Sequence, residues 1–233
     1  MTGTLKLIEK SAALQGIKGR LEVANWPPKR PRKEGCEYGP CLLVSNETGS
    51  EGSQVARLAG ARLGWPVFDR ELVDQIAQHA HVRQELIESV DEHTRSKWQE
   101  VLYALLQSDE VSADTYLYHL QQILMALGHH GDAVIVGRGA QFTLPAVGSL
   151  RVRVVAPFEL RVQRVAKRAG LTPEDALLRV RTRDNSRADF IRKTFHRDIR
   201  SPLNYDLVVN TGEMNVELAT RIVLAALHEK LGV

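Results

Sequence analysis

One stretch of the sequence constrains the fold more than any other: an apolar run at 41–44, a turn of small residues, and then a helical pattern. The run is typical of a buried strand, and Val55, Ala59 and Leu63 recur at helical spacing. Where a strand passes through such a turn into a helix, backbone N–H groups at the helix N-terminus bind phosphate. The candidate phosphate-loop residues are Thr48, Gly49, Ser50, Gly52 and Ser53.

The turn departs from the P-loop pattern G-x-x-x-x-G-K-[ST]. Asn46 stands where the first glycine belongs, Gly52 stands where the lysine belongs, and Ser53 follows. An ordinary strand-to-helix turn explains this stretch equally well, so the loop alone does not decide between a phosphate site and a simple connection.

Composition limits the classes of protein to consider. The 233 residues suit one α/β domain with an appendage or two small domains, and the net charge of +3 by itself implies neither nucleic acid nor membrane. No apolar run reaches the length of a membrane span, and the N-terminus lacks the apolar core of a signal peptide. With only two cysteines, Cys36 and Cys41, we expect a reducing, cytoplasmic location and no membrane partner.

The pattern predicts two regions. Residues 1–40 form an N-terminal extension whose proline-rich basic run at 26–33 is typical of an exposed linker, although such a run can also contact phosphates. Residues 41–233 form the main domain, with a helical insertion at about 70–130 that is long enough for a cap or a homodimer face. Its four nearby histidines have no carboxylate or thiol at ligand spacing, so no metal site is predicted.

Charged residues follow two further predicted strands. Asp69 comes after a short strand at 66–68, and Arg138 follows a strand at 132–136 with glycine on both sides. Because α/β folds bind ligands at the carboxyl ends of parallel strands, both are candidate site residues. Helix capping would also explain Asp69, and a surface ion pair would explain Arg138. Two more strands, at 150–155 and 205–211, and a closing helix at 216–231 complete the pattern.

Arginines crowd the segment 179–200. Three aspartates oppose seven arginines there, and a field of this sign suits a polyanion. Nucleic acid is one such partner, but no aromatic side chains alternate with the basic ones. We therefore do not expect nucleic acid binding.

These pieces, in this order, resemble the cytidylate kinases and, more closely, the cytidylate kinase-like family. The motifs that carry the resemblance are Val44–Ala56, Phe68–Leu72, Gly137–Pro145, Arg151–Arg168, Arg183–Arg187, and Pro202–Asp206 followed by Asn210 and Thr211. The resemblance covers roughly residues 41–231, and each motif is weak alone, whereas six in order are specific.

The resemblance implies a P-loop nucleoside-monophosphate kinase fold: an α/β protein with a parallel sheet flanked by helices, a helical insertion, and an arginine-rich lid at about 172–203. The implied substrates are ATP and a pyrimidine monophosphate such as CMP or dCMP, with Mg²⁺. By position, Arg138, Asp184 and Arg187 would bind the monophosphate, and Asp69 would lie near the nucleotide sugar. Arg183 would be a catalytic lid arginine together with Arg187.

The departures leave catalysis open. Cytidylate kinases carry Asp at Ser45, Lys at Gly52 and the magnesium-binding hydroxyl at Gln54, and Glu47 and Glu51 add negative charge to the loop. The kinase-like family also lacks the lysine, but has Arg at position 53. Arg57 or a lid arginine is a candidate replacement. Two functions therefore remain: a phosphotransferase, or a catalytically degenerate nucleotide-binding protein with a regulatory or scaffold role.

Overall fold

The computed structural model describes residues 37–71, 73–74 and 113–233. Its strands are β1 (Cys41–Asn46), β2 (Val67–Phe68), β3 (Ala133–Val136), β4 (Ser149–Val155) and β5 (Leu207–Asn210). Its helices are α1 (Gly52–Leu63), α2 (Ala113–His130), α3 (Ala140–Thr143), α4 (Phe158–Ala169), α5 (Pro173–Phe195) and α6 (Val216–Leu231), with a 3-10 turn at Pro202–Asn204. Within these residues, no helix combines the length and the apolar character that a membrane crossing requires.

The five strands form one parallel sheet in the order β2-β3-β1-β4-β5. β1 lies at the centre, where Leu43 pairs with Ile135 of β3 and with Arg151 of β4. Because all strands run the same way, their carboxyl ends meet at one edge, which is where open α/β sheets bind ligands. The turn after β1 is therefore placed at the middle of that edge.

The alternation of β1 divides the core into two layers. Leu42 and Val44 face the layer formed with α1 and α6, whereas Leu43 packs with Leu120 and Leu124 of α2. Both layers are buried, as a parallel sheet covered on both faces requires. Ser45, two residues beyond Leu43, lies on the α2 side, and Arg153 is its register partner on β4.

Local sequence signals set the ends of several helices. Thr172 caps α5 by accepting a hydrogen bond from the Asp175 N–H, with Pro173 in the first turn. Gly64 ends α1 in the left-handed conformation, at a φ of 67°. The helix after β2 is described at 70–71 and 73–74, and the Val73 N–H donates to the Asp69 carbonyl.

The predicted fold class is confirmed: a parallel sheet with helices on both faces. Most of the predicted helical insertion lies outside the described residues, so its cap or dimer role stays a prediction. The domain boundary at residue 40 also stays a prediction. The structure shows that Gly39 donates to the Gly128 carbonyl and that Tyr38 stacks on His129, so the described chain contacts the core before β1 begins.

Candidate phosphate site

The turn after β1 is bonded to the protein on most sides. The Ser50 hydroxyl is fully buried and donates to the Val154 carbonyl at 3.0 Å and to the Glu47 carbonyl at 2.9 Å. The Thr211 hydroxyl, also buried, donates to the Ser50 carbonyl at 2.8 Å. These bonds fix the turn against β4 and the end of β5.

Packing within the protein accounts for both glycines of the turn. A Cβ on Gly49, where φ is 84°, would lie 2.5 Å from the Arg161 carbonyl oxygen. A Cβ on Gly52 would lie 2.4 Å from Asn46 Cβ and 3.0 Å from Val154 Cβ. α4 and the two central strands therefore approach the turn at these two positions. Phosphate binding by the turn stays a prediction.

Asp184 of α5 accepts a hydrogen bond from a backbone N–H of the turn. Its Oδ1 accepts the Thr48 N–H at 2.9 Å, and its Oδ2 accepts from Arg161 Nη1 at 2.6 Å. A carboxylate on a loop N–H makes the type of bond that a phosphate oxygen makes at such loops. In this structure, the protein's own side chain therefore supplies the anion at Thr48.

Arginines of α4 neutralise the two glutamates of the turn. Arg161 is 7% exposed, its Nε lies 3.2 Å from Glu47 Oε2, and it also donates to the Ala156 and Thr48 carbonyls. Glu51 adopts a φ of 62° and lies 3.6 Å from Arg164 and 3.5 Å from Arg168. The negative charge beside the loop is thus compensated by the helix that packs on it.

Arg187 connects α5 to the same turn. Its Nη1 donates to Thr48 Oγ1 at 2.8 Å and to the Asn46 carbonyl at 3.2 Å, and it lies 3.4 Å from Asp184 Oδ1. Burial lowers the pKa of Arg187, Asp184 opposes that shift, and neighbouring arginines, Arg153 among them, add to it. The guanidinium therefore lies in a region with an excess of positive charge.

Arg138 lies in a second group of charged and aromatic side chains. It forms an ion pair with Asp74, and the Tyr116 hydroxyl donates to the other Asp74 oxygen at 2.7 Å. Burial and this hydrogen bond raise the pKa of Tyr116. The Arg138 guanidinium also lies 5.5 Å from the centre of the Phe190 ring, which is three residues beyond Arg187 on α5. Arg138 and Arg187 therefore approach the same turn of α5.

Residues 43–213 match the cytidylate kinase-like family. The chain belongs to this family. A cytidylate kinase from Methanopyrus kandleri is 30% identical over 110 residues, which cover 43% of this chain and 57% of that enzyme. A uronate isomerase from Corynebacterium glutamicum is 32% identical over 111 residues, which cover 47% of this chain and 21% of that protein. The chain thus spans less than two thirds of either relative.

A solved structure supports the fold of this family member. The crystal structure of an uncharacterized protein from Eubacterium ventriosum superimposes with a TM-score of 0.62 at 18% identity. The match covers 81% of this chain and 98% of that one. At this identity, the likeness concerns the fold alone.

The residues of the family motifs lie in different parts of the structure. Asp184 and Arg187 contact the turn directly, and Arg138 approaches α5 beside them. Asp69 follows β2, at the edge of the sheet, and does not line the cavity between β1, β4 and α5. Arg183 is exposed, and no ion pair of its side chain is seen within the described part of the chain.

Sequence reasoning missed three residues that shape this site. Arg161 pairs with Glu47 beneath the turn, Arg153 contacts Ser45, and Asp74 pairs with Arg138. For Arg153 a signal existed, because the alternation of β4 places it on the face opposite Val152 and Val154. The pairing of Arg161 depends on how α4 packs on the turn, and no local sequence pattern indicates that contact.

Proposed function

We propose that this protein is a nucleoside-monophosphate kinase-like phosphotransferase, which converts ATP and CMP, dCMP or a related pyrimidine monophosphate into two diphosphates. One observation carries the proposal. Arg187, at the position that the family resemblance gives to monophosphate binding, donates hydrogen bonds to Thr48 and Asn46 of the turn that would bind ATP. Phosphoryl transfer requires donor and acceptor to be aligned and their charge neutralised, and both tasks fall to residues at this contact.

The residues of the chain divide these tasks. Arg187 of α5 and Arg138, whose guanidinium lies 5.5 Å from the Phe190 ring of the same helix, would hold the acceptor phosphate by charge-assisted hydrogen bonds. Asp184 positions both Arg187 and the turn, because it bonds to each. Arg183, one turn of helix before Arg187, extends the positive field towards solvent and would meet the phosphates of ATP.

The described residues do not build a magnesium site of their own. The family resemblance suggests Gln54 for the magnesium-binding hydroxyl, but in the P-loop pattern that hydroxyl directly follows the lysine position, which makes it Ser53. Gln54 Oε1 is buried and has no hydrogen-bond partner among the described residues. No three His, Cys, Asp or Glu side chains converge anywhere in the described ranges. Mg²⁺, which the family relationship suggests, would therefore enter on the nucleotide phosphates, as it commonly does at kinase sites. No step proposed for this chain runs through it.

A second function is favoured by the hydrogen bonds within the turn. The Thr48 N–H is bonded to Asp184 and the Ser50 N–H to the Glu47 carbonyl, so fewer backbone donors are available to a triphosphate than in a standard P-loop. A protein that binds nucleotide without turnover, in a regulatory or scaffold role, accords with this arrangement.

The test is a product assay with the full chain. The protein is incubated with ATP, Mg²⁺ and each nucleoside monophosphate in turn, and diphosphates are separated by chromatography. We expect product with CMP or dCMP. Arg187→Ala should weaken monophosphate binding by about ten- to a hundred-fold, the value of one charge-assisted bond. Arg192→Ala is the matched control, because Arg192 lies on the same helix and, within the described residues, forms an ion pair with the exposed Asp189 alone.

Three results distinguish the alternatives. Diphosphate that depends on Arg187 and not on Arg192 supports the kinase. Nucleotide binding measured by calorimetry, with no diphosphate formed, supports the degenerate protein. Failure to bind both ATP and every monophosphate contradicts both functions.

A further inference from the structure

A cavity of about 200 Å³ opens beside the turn, at the carboxyl ends of β1 and β4. Its charged lining consists of four arginines and two carboxylates: Arg153, Arg161, Arg187, Arg200, Glu47 and Asp184. Two positive charges are therefore in excess, which matches the charge of a phosphate monoester at neutral pH. The volume is below the roughly 300–1,000 Å³ of pockets that enclose whole small molecules, so it suits a phosphoryl group rather than a nucleotide.

The four arginines are not equally available to a ligand. Arg161 is committed to the protein, because its guanidinium bonds to two carbonyls and to both carboxylates. Arg187 uses Nη1 for its three contacts, and no bond of its Nη2 is seen in the described residues. Arg200 is exposed, and its guanidinium has no ion pair within the same ranges. Three arginines thus keep N–H groups for an anion.

Arg153 differs from the other arginines because it is held within the sheet. It is 6% exposed, and its Nη1 donates to the Ser45 hydroxyl at 2.8 Å. The nearest carboxylate oxygen, Glu47 Oε1, lies 3.7 Å from Nη2, which is too far for a hydrogen bond. The guanidinium lies 5.9 Å from the centre of the Tyr205 ring. Glu47 also pairs with Arg161, at 3.2 Å, so the buried charge of Arg153 is only partly compensated, and an anion in the cavity would compensate the rest.

The location of Arg153 relates it to the missing lysine. Ser45 is the last but one residue of β1, and Arg153 of β4 is its register partner. The P-loop lysine would enter from Gly52, at the start of α1, where a side chain has no room. Arg57, the other candidate on α1, is exposed and does not line the cavity.

We propose that Arg153 supplies the fixed positive charge that the turn lacks, and that with Arg187 and Arg200 it binds the phosphoryl group of a nucleotide in this cavity. Recognition therefore rests on guanidinium groups from β4, α5 and the segment after α5, more than on the backbone of the turn. The inference deepens the proposed function and rests on it for the carrier of the phosphoryl group. The cavity and its charges stand independently of turnover.

The experiment measures binding of inorganic phosphate and pyrophosphate to the full chain by calorimetry and ³¹P NMR. Arg153→Met should weaken binding by at least about tenfold, the loss that one charge-assisted bond corresponds to. Arg153→Lys keeps the charge and should stay within roughly fivefold of the parent, although it loses the planar fork. Arg200→Ala should weaken binding about three- to tenfold.

The matched control is Arg151→Met. Arg151 lies on the same strand and face but bonds to Asp206, outside the cavity. This variant should bind phosphate within about twofold of the parent, since a distant surface charge is largely screened. If Arg153→Met does not fold, the exposed Arg200→Ala still decides the question, because its predicted loss of binding does not depend on the buried Arg153 site.

Competition identifies the carrier. Displacement of bound phosphate by CMP assigns the cavity to the acceptor, and displacement by ATP assigns it to the donor; either supports the proposal. Displacement by neither overturns it, as does phosphate binding that is unaffected in Arg153→Met and Arg200→Ala. If the protein forms diphosphates but Arg153→Met and Arg200→Ala bind phosphate like the parent, the proposed function stands and phosphate binding by the cavity is refuted. If phosphate binding depends on these arginines but no diphosphate forms, the cavity proposal stands and the kinase activity is refuted.

Discussion

Asp184→Ala removes the carboxylate that joins α5 to the turn. Two losses follow from the structure. The Thr48 N–H, in a residue that is 6% exposed, loses its acceptor, and Arg161 loses the closer of its two carboxylates. An unsatisfied buried donor costs about 1–3 kcal/mol, and a lost ionic partner of a buried arginine costs a similar amount. Because Asp184 is 24% exposed and Glu47 still pairs with Arg161, we expect a total of about 2–4 kcal/mol.

Urea denaturation followed by circular dichroism measures this loss, and a thermal scan should show a decrease of roughly 4–16 °C in Tm. Asp184→Asn keeps an oxygen that can accept the Thr48 N–H, so its loss should be about half as large. Asp189→Ala is the control on the same helix. Its partner Arg192 is 71% exposed, so the change should stay below about 0.5 kcal/mol.

Inorganic phosphate provides a second measurement. Asp184→Ala vacates the Thr48 N–H and adds one to the positive excess of the cavity, so millimolar phosphate should raise the Tm of this variant more than that of the parent. The reasoning is refuted if Asp184→Ala is as stable as Asp189→Ala. It is also refuted if phosphate stabilises the variant less than the parent.

Three further substitutions test the packing and the charges around the turn. Gly49→Ala places a Cβ 2.5 Å from a backbone oxygen of α4 and should lower the free energy of unfolding by roughly 1–3 kcal/mol beyond Gly170→Ala, whose Cβ meets nothing within 4 Å at a similar φ. Gly52→Lys restores the P-loop lysine, yet its Cβ would lie 2.4 Å from a side-chain carbon of β1, so we expect a destabilised protein with no gain in ATP affinity by calorimetry. Burial alone would raise the pKa of Asp206, but hydrogen bonds from Arg151 and a lysine of α6 lower it to about 2. Its stabilising contribution should therefore be present above about pH 4 and be lost as pH falls towards 2, and Asp206→Asn should flatten the measured stability over that window.

The sequence predicted the elements whose signals are local. The apolar run of β1, the helical spacing of α1 and the Thr172 cap of α5 each depend on neighbouring residues, and all three are observed. The closing helix was predicted at 216–231, and α6 has those bounds. The order of strands was not predicted, because periodicity carries no information about which strands are neighbours, and it comes from the structure.

The site was less predictable because its contacts join distant parts of the chain. Asp184 and Thr48 are 136 residues apart, and Arg153 and Ser45 are 108 apart. The motif around Arg187 came from the family resemblance, which does not say that its guanidinium would contact the turn. Gly49 was predicted as a phosphate-loop residue, and the structure shows that it also allows α4 to pack closely on the turn. A glycine needed for helix packing and one needed for a phosphate look the same in sequence, so phosphate binding there stays a prediction.

The departures of the turn from the P-loop pattern are connected through charge. If Asp stood at position 45, as in cytidylate kinases, it would be the register partner of Arg153 and would neutralise it. Ser45 accepts one hydrogen bond from Arg153 without adding a negative charge, so the positive charge stays available at the cavity. Gly52, in turn, allows Asn46 and Val154 to pack where a lysine would begin. The loss of a cation at the start of α1 and the loss of an anion at the end of β1 therefore have opposite electrostatic effects. In the proposed site, the fixed positive charge therefore comes from β4 instead of from α1. The phosphoryl group would still bind at the same edge of the sheet.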